Sequence, residues 1–187
     1  MIRRPHLLGI DEGPFEKGQR APVPLVAALC EGPDLLESVA RAEFAVDGAG
    51  ATDFLIAWLG GLRALPSLQG VALGGITLAG LGLVDVRALA EALRVPVLVV
   101  TRRPPDNARL RAALEAAGLP ERFEIAERSP AAVRPDDGLW LAHAGTDADH
   151  ARALFEASRA KSKLPEALRI AHLIATALVR GESQGRV

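Results

Sequence analysis

The sequence predicts an α/β protein in which a mixed β-sheet carries helices on both faces. Three observations predict this class. The first 50 residues contain three short apolar runs that are joined by links with Gly or Pro. After Gly50 the spacing of the apolar residues changes to a helical one. Beyond that point, strand-like and helix-like segments alternate, which is typical of β-α-β units on a sheet.

The three N-terminal runs are predicted to form an antiparallel three-strand meander. They cover residues 6–10, 22–30 and 38–46, and the links at residues 12–21 and 31–34 break the apolar pattern. Strands joined by short links pair antiparallel, because parallel neighbours need a longer crossover.

The first helix is predicted to begin after Gly50 and to end at Pro66, which cannot continue a helix. Thr52 or Asp53 could cap its start. Its apolar residues recur at helical spacing and form one stripe: Phe54, Leu55, Trp58, Leu59 and Leu62.

The rest of the chain is predicted to alternate strands with helices. The order is typical of the ribonuclease H-like arrangement, although other α/β folds share it. With neither an internal repeat nor a linker, residues 1–187 are interpreted as a single domain, with a polar tail at residues 182–187. The predicted strands are 70–73, 95–101, 123–125 and 138–142, and the predicted helices are 84–93, 107–117, 147–161 and 165–179.

Composition limits the classes of function. A chain of 187 residues can bury a sizeable core. The formal net charge of -1 argues against a strongly basic coat for nucleic acid. Residues 1–100 hold 8 Lys or Arg against 11 Asp or Glu, whereas residues 101–187 hold 14 against 12. The first half therefore concentrates acids, and the second half can offer modest phosphate contacts.

The single cysteine, Cys30, excludes an intramolecular disulfide and a thiolate zinc site, and it is expected to be a core residue. No apolar run approaches the roughly 20 residues that span a bilayer. The N-terminus has only a short apolar stretch before Asp11, unlike a signal peptide. We therefore expect a soluble, cytoplasmic protein without a membrane partner.

Three aspartates are candidate metal ligands. Asp11 ends the first strand, Asp47 ends the third, and Asp53 lies at the start of the helix that follows. Carboxylates brought together repel one another unless a cation lies between them, and Mg²⁺ or Mn²⁺ prefers oxygen ligands. The alternatives are turn formation at Asp11 and Asp47 and helix capping at Asp53. Asp11 precedes Glu12, and only one of two adjacent acids in an extended chain is expected to face a cleft.

A glycine-rich segment, residues 74–80, is a candidate for binding an anion. Glycine lets a ligand approach the backbone, and N–H groups at a helix start can hold phosphate. Gly74, Gly75 and Thr77 are the residues named for this role. The segment fits neither the Walker pattern nor G-x-G-x-x-G, so a tight packed turn is the alternative.

His172 is a candidate acid, base or metal ligand on the last helix. It lies off the apolar stripe of that helix, and Arg169, three residues before it, is a candidate for binding phosphate or another ligand. A solvated or hydrogen-bonded histidine is the alternative. Four basic residues could hold phosphates, although a solvated surface explains each singly: Arg102, Arg103, Lys161 and Lys163.

Five segments in the same order resemble one family across nearly the whole chain. They are GIDEGPF, VDGAGAT, GGITLAGLGLVD, VPVLVVTRRPPD and LPEALRIAHLIATALVRGESQGRV. Together they resemble the "domain of unknown function 99" proteins, relatives of endonuclease V. The resemblance implies a ribonuclease H-like fold and metal-dependent cleavage of phosphodiesters near deaminated bases.

The resemblance also implies roles for single residues. Asp11 matches the metal aspartate of the first strand in endonuclease V, and Asp53 matches the glutamate that opens the helix after the third strand. His172 and Gly74 stand where endonuclease V has aspartates. Asp47 has no counterpart there, and the Pro-Tyr-Ile-Pro wedge has no match near residues 43–52.

Two functional hypotheses follow. In the first, the protein is a Mg²⁺- or Mn²⁺-dependent nuclease for DNA or RNA, with Asp11, Asp53 and His172 catalytic and with Asp11, Asp47 and Asp53 binding the metal. In the second, it is an inactive domain that binds nucleic acid or a protein, which the glycine at position 74 favours. A small phosphorylated ligand at residues 74–80 is a third alternative.

Overall fold

The computed structural model describes residues 2–134 and 138–184. Eight strands and six helices follow one another along this part of the chain. The strands are β1 (His6–Glu12), β2 (Val23–Glu31), β3 (Leu35–Phe44), β4 (Gly70–Leu73), β5 (Thr77–Leu78), β6 (Gly82–Leu83), β7 (Val97–Thr101) and β8 (Trp140–Ala144). The helices are α1 (Ala51–Gly60), α2 (Val86–Leu93), α3 (Asn107–Ala116), α4 (Phe123–Arg128), α5 (Ala148–Ala157) and α6 (Glu166–Arg180).

Six strands form one mixed sheet in the order β3-β2-β1-β4-β7-β8. The first three strands pair antiparallel, which confirms the predicted meander. Strand β4 lies parallel to β1 and to β7, and β8 closes the other edge antiparallel to β7. The C-terminal ends of β1, β4 and β7 therefore meet at one edge of the sheet.

Helices cover both faces of the sheet, as the sequence predicts, because side chains alternate between the faces along each strand. On one face, Leu8 and Ile10 of β1 pack in a core with residues of α1 and α2. On the other face, Leu7 packs with Phe155 of α5 and Leu168 of α6. Both faces of β1 are thus buried, so its position is fixed from both sides.

Gly9 lets α6 lie unusually close to β1. A Cβ atom built at Gly9 would lie 2.2 Å from the backbone carbon of Ala167 and 2.2 Å from the backbone nitrogen of Leu168. Real Cβ atoms do not approach backbone atoms this closely. The glycine therefore sets the distance between the first strand and the last helix.

Three predicted elements differ in the structure. The first helix, predicted to end at Pro66, ends at Gly60, because two successive glycines disfavour its continuation, and a separate 3₁₀ turn follows at Leu65–Ser67. Its N-cap is Gly50, and neither Thr52 nor Asp53 caps it. The strand predicted at residues 123–125 is part of helix α4, which follows directly from a 3₁₀ turn at Pro120–Arg122. A run of three residues shows no period, and burial of Phe123 and Ala126, three residues apart, favours the helix. The helix predicted at residues 147–161 ends at Ala157, where the Ser158 hydroxyl donates to the Phe155 carbonyl.

The glycine-rich segment also differs from a simple turn, because it carries the hairpin of β5 and β6 before α2 begins. Of the predicted polar tail at residues 182–187, residues 182–184 have no regular structure, and residues 185–187 lie outside the described part of the chain. None of the helices within residues 2–134 and 138–184 has the length and apolar character needed to cross a membrane.

Candidate active site

An open cleft of about 930 Å³ lies where the C-terminal ends of β1, β4 and β7 face α6. Five of the residues singled out in the sequence line this cleft. They come from four separate parts of the chain, which only the fold brings together: Asp11, Gly74, Arg102, Arg169 and His172.

A carboxylate and an imidazole are in direct contact in this cleft. His172 Nδ1 lies 2.8 Å from Asp11 Oδ2. Asp11 shares the face of β1 that α6 covers, and the close approach at Gly9 brings His172 within reach. The hydrogen bond to Asp11 raises the pKa of His172 above its ordinary value. The imidazole is therefore oriented by the carboxylate and is a ready proton donor.

Glu12 is a functional candidate that the sequence reasoning set aside. Burial raises its pKa to about 7, and the negative charge of Asp11 adds to this shift. A hydrogen bond from the Ala79 backbone opposes the shift. Adjacent acids do point to opposite faces, but β1 ends at Glu12, so both carboxyls border the same cleft. The Asp-Glu pair at the end of an apolar run is the sequence feature that could have identified Glu12 as a candidate.

The raised pKa of Glu12 predicts a pH-dependent stability. The folded protein holds this proton more tightly than the unfolded chain, so the stabilising effect is present below the ordinary pKa of 4.5 and is lost as pH rises through about 7. We expect Glu12→Gln to be more stable than the wild type above pH 7 and similar to it at pH 4, in urea denaturation with EDTA. The prediction would be contradicted if the difference in the free energy of unfolding between the two proteins were the same at pH 4 and above pH 7.

A smaller pocket of about 110 Å³ opens beside the two carboxyls. It is lined by Gly74, Gly75 and Thr77, the residues named for anion binding, as well as by Asp11 and Glu12. The backbone at this pocket belongs to the link from β4 into the hairpin, not to a helix start. A Cβ atom built at Gly74 would meet no atom within 4 Å, so this position is free to hold a larger side chain.

Asp47 holds the β5–β6 hairpin in place. Its Oδ1 accepts a hydrogen bond of 2.8 Å from the Leu81 backbone N–H. Arg122 Nη1 donates to the carbonyl oxygens of Asp47 and Leu81, both at 2.8 Å. Asp47 adopts a left-handed backbone conformation with φ 53°, as turn residues do. This carboxylate therefore positions the hairpin whose Ala79 backbone contacts Glu12.

Asp53 is exposed in the first turn of α1 and does not line the cleft. Within residues 2–134 and 138–184, no set of three ligand atoms lying within 4.8 Å of one another includes Asp11, Asp47 or Asp53. The set that meets this distance is His6, Glu31 and Glu37, which surrounds the N-terminal end of β1. The structure thus brings Asp11 together with Glu12 and His172, and it leaves Asp47 and Asp53 outside this group.

Three arginines border the cleft: Arg102, Arg169 and Arg180. Arg102 is close enough to His172 to oppose the rise in its pKa. Arg180 was not among the sequence candidates, although it lies eight residues beyond His172 and hence on a similar face of α6. Arg103, Lys161 and Lys163 are exposed and do not line the cleft.

Several known proteins are similar to this chain in sequence or in structure. The UPF0215 protein of Deinococcus radiodurans is 36% identical over 186 residues, covering 98% of this chain and 94% of the relative. The corresponding protein of Methanothermobacter thermautotrophicus is 34% identical over 183 residues, covering 96% and 90%. A crystal structure of a protein of unknown function from Archaeoglobus fulgidus superposes with a TM-score of 0.85 at 30% identity, covering 96% of this chain and 99% of that one.

More distant solved structures show the fold alone. Endonuclease V of Ciona intestinalis, in complex with an inosine-containing DNA, has a TM-score of 0.56 at 10% identity, over 90% of this chain and 82% of that one. Endonuclease V of Streptomyces avermitilis also has a TM-score of 0.56, at 17% identity, over 94% and 84%. The fold is therefore ribonuclease H-like, as in endonuclease V. The sequence profile of the family described as Endonuclease dU matches residues 3–179, and the chain belongs to this family.

Proposed function

We propose that the protein is a divalent-metal-dependent endonuclease that cleaves DNA beside a deaminated base. The observation that carries the proposal is the contact of Asp11 with His172 in an open cleft bordered by arginines. The family description adds a substrate, because dU denotes deoxyuridine, the deamination product of deoxycytidine. RNA remains an alternative substrate for the same arrangement of groups.

The donor set at the end of β1 fits one Mg²⁺ or Mn²⁺ ion. Mg²⁺ is commonly bound by one or two carboxylates and keeps several of its waters, so it does not require three converging protein ligands. Asp11 and Glu12 would supply the carboxylates. Burial and then the charge of Asp11 raise the pKa of Glu12, and a bound cation would favour its ionised form. Position 74, where endonuclease V has an aspartate, is glycine, so a second ion has fewer ligands here.

The groups of the cleft would each have a separate role in cleavage. A bound divalent cation would lower the pKa of water and offset charge on the phosphate. Asp11 orients the His172 imidazole, and the raised pKa suits His172 to protonate the leaving oxygen. Arg102, Arg169 and Arg180 would hold phosphates on either side of the scissile bond.

The proposal is tested with labelled oligonucleotides that contain deoxyuridine, deoxyinosine or neither, incubated with Mn²⁺ or with EDTA. We expect Mn²⁺-dependent cleavage of the deoxyuridine substrate that His172→Ala reduces strongly. Equal cleavage by the wild type and His172→Ala would attribute the activity to a contaminant and reject the assignment for those substrates.

Restoring an acid at position 74 should strengthen metal binding. The Cβ of Gly74→Asp has free space, and the new carboxylate would lie at the edge shared with Asp11 and Glu12. We expect Mn²⁺ affinity, measured by isothermal titration calorimetry, to rise at least about tenfold. Gly60→Asp is the matched control, because it adds the same charge in free space on α1. Equal affinities for the two variants would contradict a metal site at this edge.

The second candidate function is binding of nucleic acid without cleavage. The glycine at position 74 favours it, because a two-metal site then lacks one of its carboxylates. This function predicts salt-sensitive binding that EDTA does not change. Affinity that collapses on chelation would reject it.

A further inference from the structure

We propose that Glu166 is a positioning residue that fixes Arg169 as a phosphate-binding guanidinium in the cleft. The inference rests on the proposed function, because it assumes that the cleft receives a nucleic acid. It adds a residue that does not itself line the cleft and that acts through its neighbour on α6.

Glu166 is one of two buried polar side chains in the described part of the chain, and 5% of its surface is exposed. Its Oε2 accepts a hydrogen bond of 2.8 Å from Arg169 Nε and lies 2.6 Å from Arg169 Nη2 in an ion pair. The hydrogen bond at Nε and the ion-pair contact at Nη2 restrict the rotation of the planar guanidinium. The carboxylate therefore sets the direction in which Arg169 points.

The first turn of α6 favours an acid such as Glu166, but this local effect does not account for the burial of its carboxylate. Glu166 Oε1 is buried and has no hydrogen-bond partner among the described residues, which costs free energy. A buried ion pair is weak evidence for stability, since apolar replacements of similar volume are often as stable. An energetically costly carboxylate beside a cleft is better explained by the orientation that it imposes on Arg169.

The geometry of α6 directs the remaining donors of Arg169 toward substrate. Arg169, His172 and Thr176 lie three to four residues apart, and all three line the cleft. Arg169 remains 31% exposed, and its guanidinium has five N–H donors, of which the Nε–H is bonded to Glu166. The remaining N–H donors of Arg169 can bind a phosphate on the side of the cleft where His172 and Asp11 lie.

The test measures the salt dependence of binding to a fluorescent deoxyuridine duplex, by anisotropy in EDTA, so that cleavage does not intervene. We expect Arg169→Ala to reduce the slope of log affinity against log salt by about 0.9, as loss of one phosphate contact does. Glu166→Gln should keep the slope and weaken binding about fivefold, because the cation remains while its orientation is lost. Arg63→Ala, which removes an exposed arginine away from the cleft, should leave the slope unchanged.

A double-mutant cycle separates positioning from general destabilisation. Glu166→Gln should have no further effect on affinity in the Arg169→Ala background. An equal effect in both backgrounds, an unchanged slope for Arg169→Ala or a wild type that does not bind DNA would overturn the inference. If Glu166→Gln fails to fold, Arg169→Lys replaces it and should likewise keep the slope but weaken binding. If Arg169→Ala reduces the slope but the protein cleaves no substrate, the inference about Glu166 stands and the proposed nuclease activity is rejected.

Discussion

Asp11→Asn should reduce cleavage of the deoxyuridine substrate about a hundredfold, the upper end of the loss seen when groups around a metal site are replaced. The substitution keeps the shape of the side chain and removes its charge. It thereby removes a candidate metal ligand and weakens the hydrogen bond of 2.8 Å that orients His172.

The same variant has a second readout that is independent of activity. Because the hydrogen bond to Asp11 raises the pKa of His172, this pKa should fall in Asp11→Asn, as measured by NMR titration of the imidazole. Glu16→Gln is the matched control, because it removes an exposed acid five residues away that does not line the cleft. Full activity in Asp11→Asn together with the lowered pKa would show that the contact exists and is not catalytic.

Gly9→Ala should destabilise the protein by about 3 kcal/mol, the upper part of the range for overpacked sites. The new methyl group would lie 2.2 Å from backbone atoms of Ala167 and Leu168, and backbone cannot rotate away as a flexible side chain can. Relief requires α6 to move away from β1. The free energy of unfolding from urea denaturation measures the effect.

The same movement should also affect the cleft, because α6 carries Arg169 and His172. We expect Gly9→Ala to lose cleavage in proportion to the displacement of His172 from Asp11. Gly60→Ala is the control, since its Cβ meets no atom within 4 Å and the change favours helix by up to about 1 kcal/mol. Equal stability of the two variants would mean that α6 adapts to the added methyl group at little cost.

Much of the fold could be predicted, because the spacing of the apolar residues and the positions of the turn residues indicate local structure. The meander of β1, β2 and β3 and the alternation that follows were readable from spacing alone. Helix α4 was not, because residues 123–125 are too few to show a period. The end of α5 was also missed, since a serine hydroxyl bonding its own helix, and no Gly or Pro, marks that end.

The candidate site was predictable only in part. Asp11 and His172 were named from the sequence, and the structure places them 2.8 Å apart. Asp47 was named as a metal ligand, and in the structure its carboxylate accepts a hydrogen bond from the Leu81 backbone. A carboxylate beside a glycine turn can serve either purpose, and the sequence does not distinguish them. Glu12 was set aside on strand alternation, a rule that weakens where a strand ends at an open edge.

The sequence by itself determined the class of fold, the two faces of each strand and the chemical types of group available, because these depend on neighbours along the chain. Tertiary structure alone decided which groups meet. Asp11 and His172 are 161 residues apart, and their contact depends on a missing side chain at Gly9 that lets a helix touch a strand. Such distances are set by packing between elements, which local spacing does not encode.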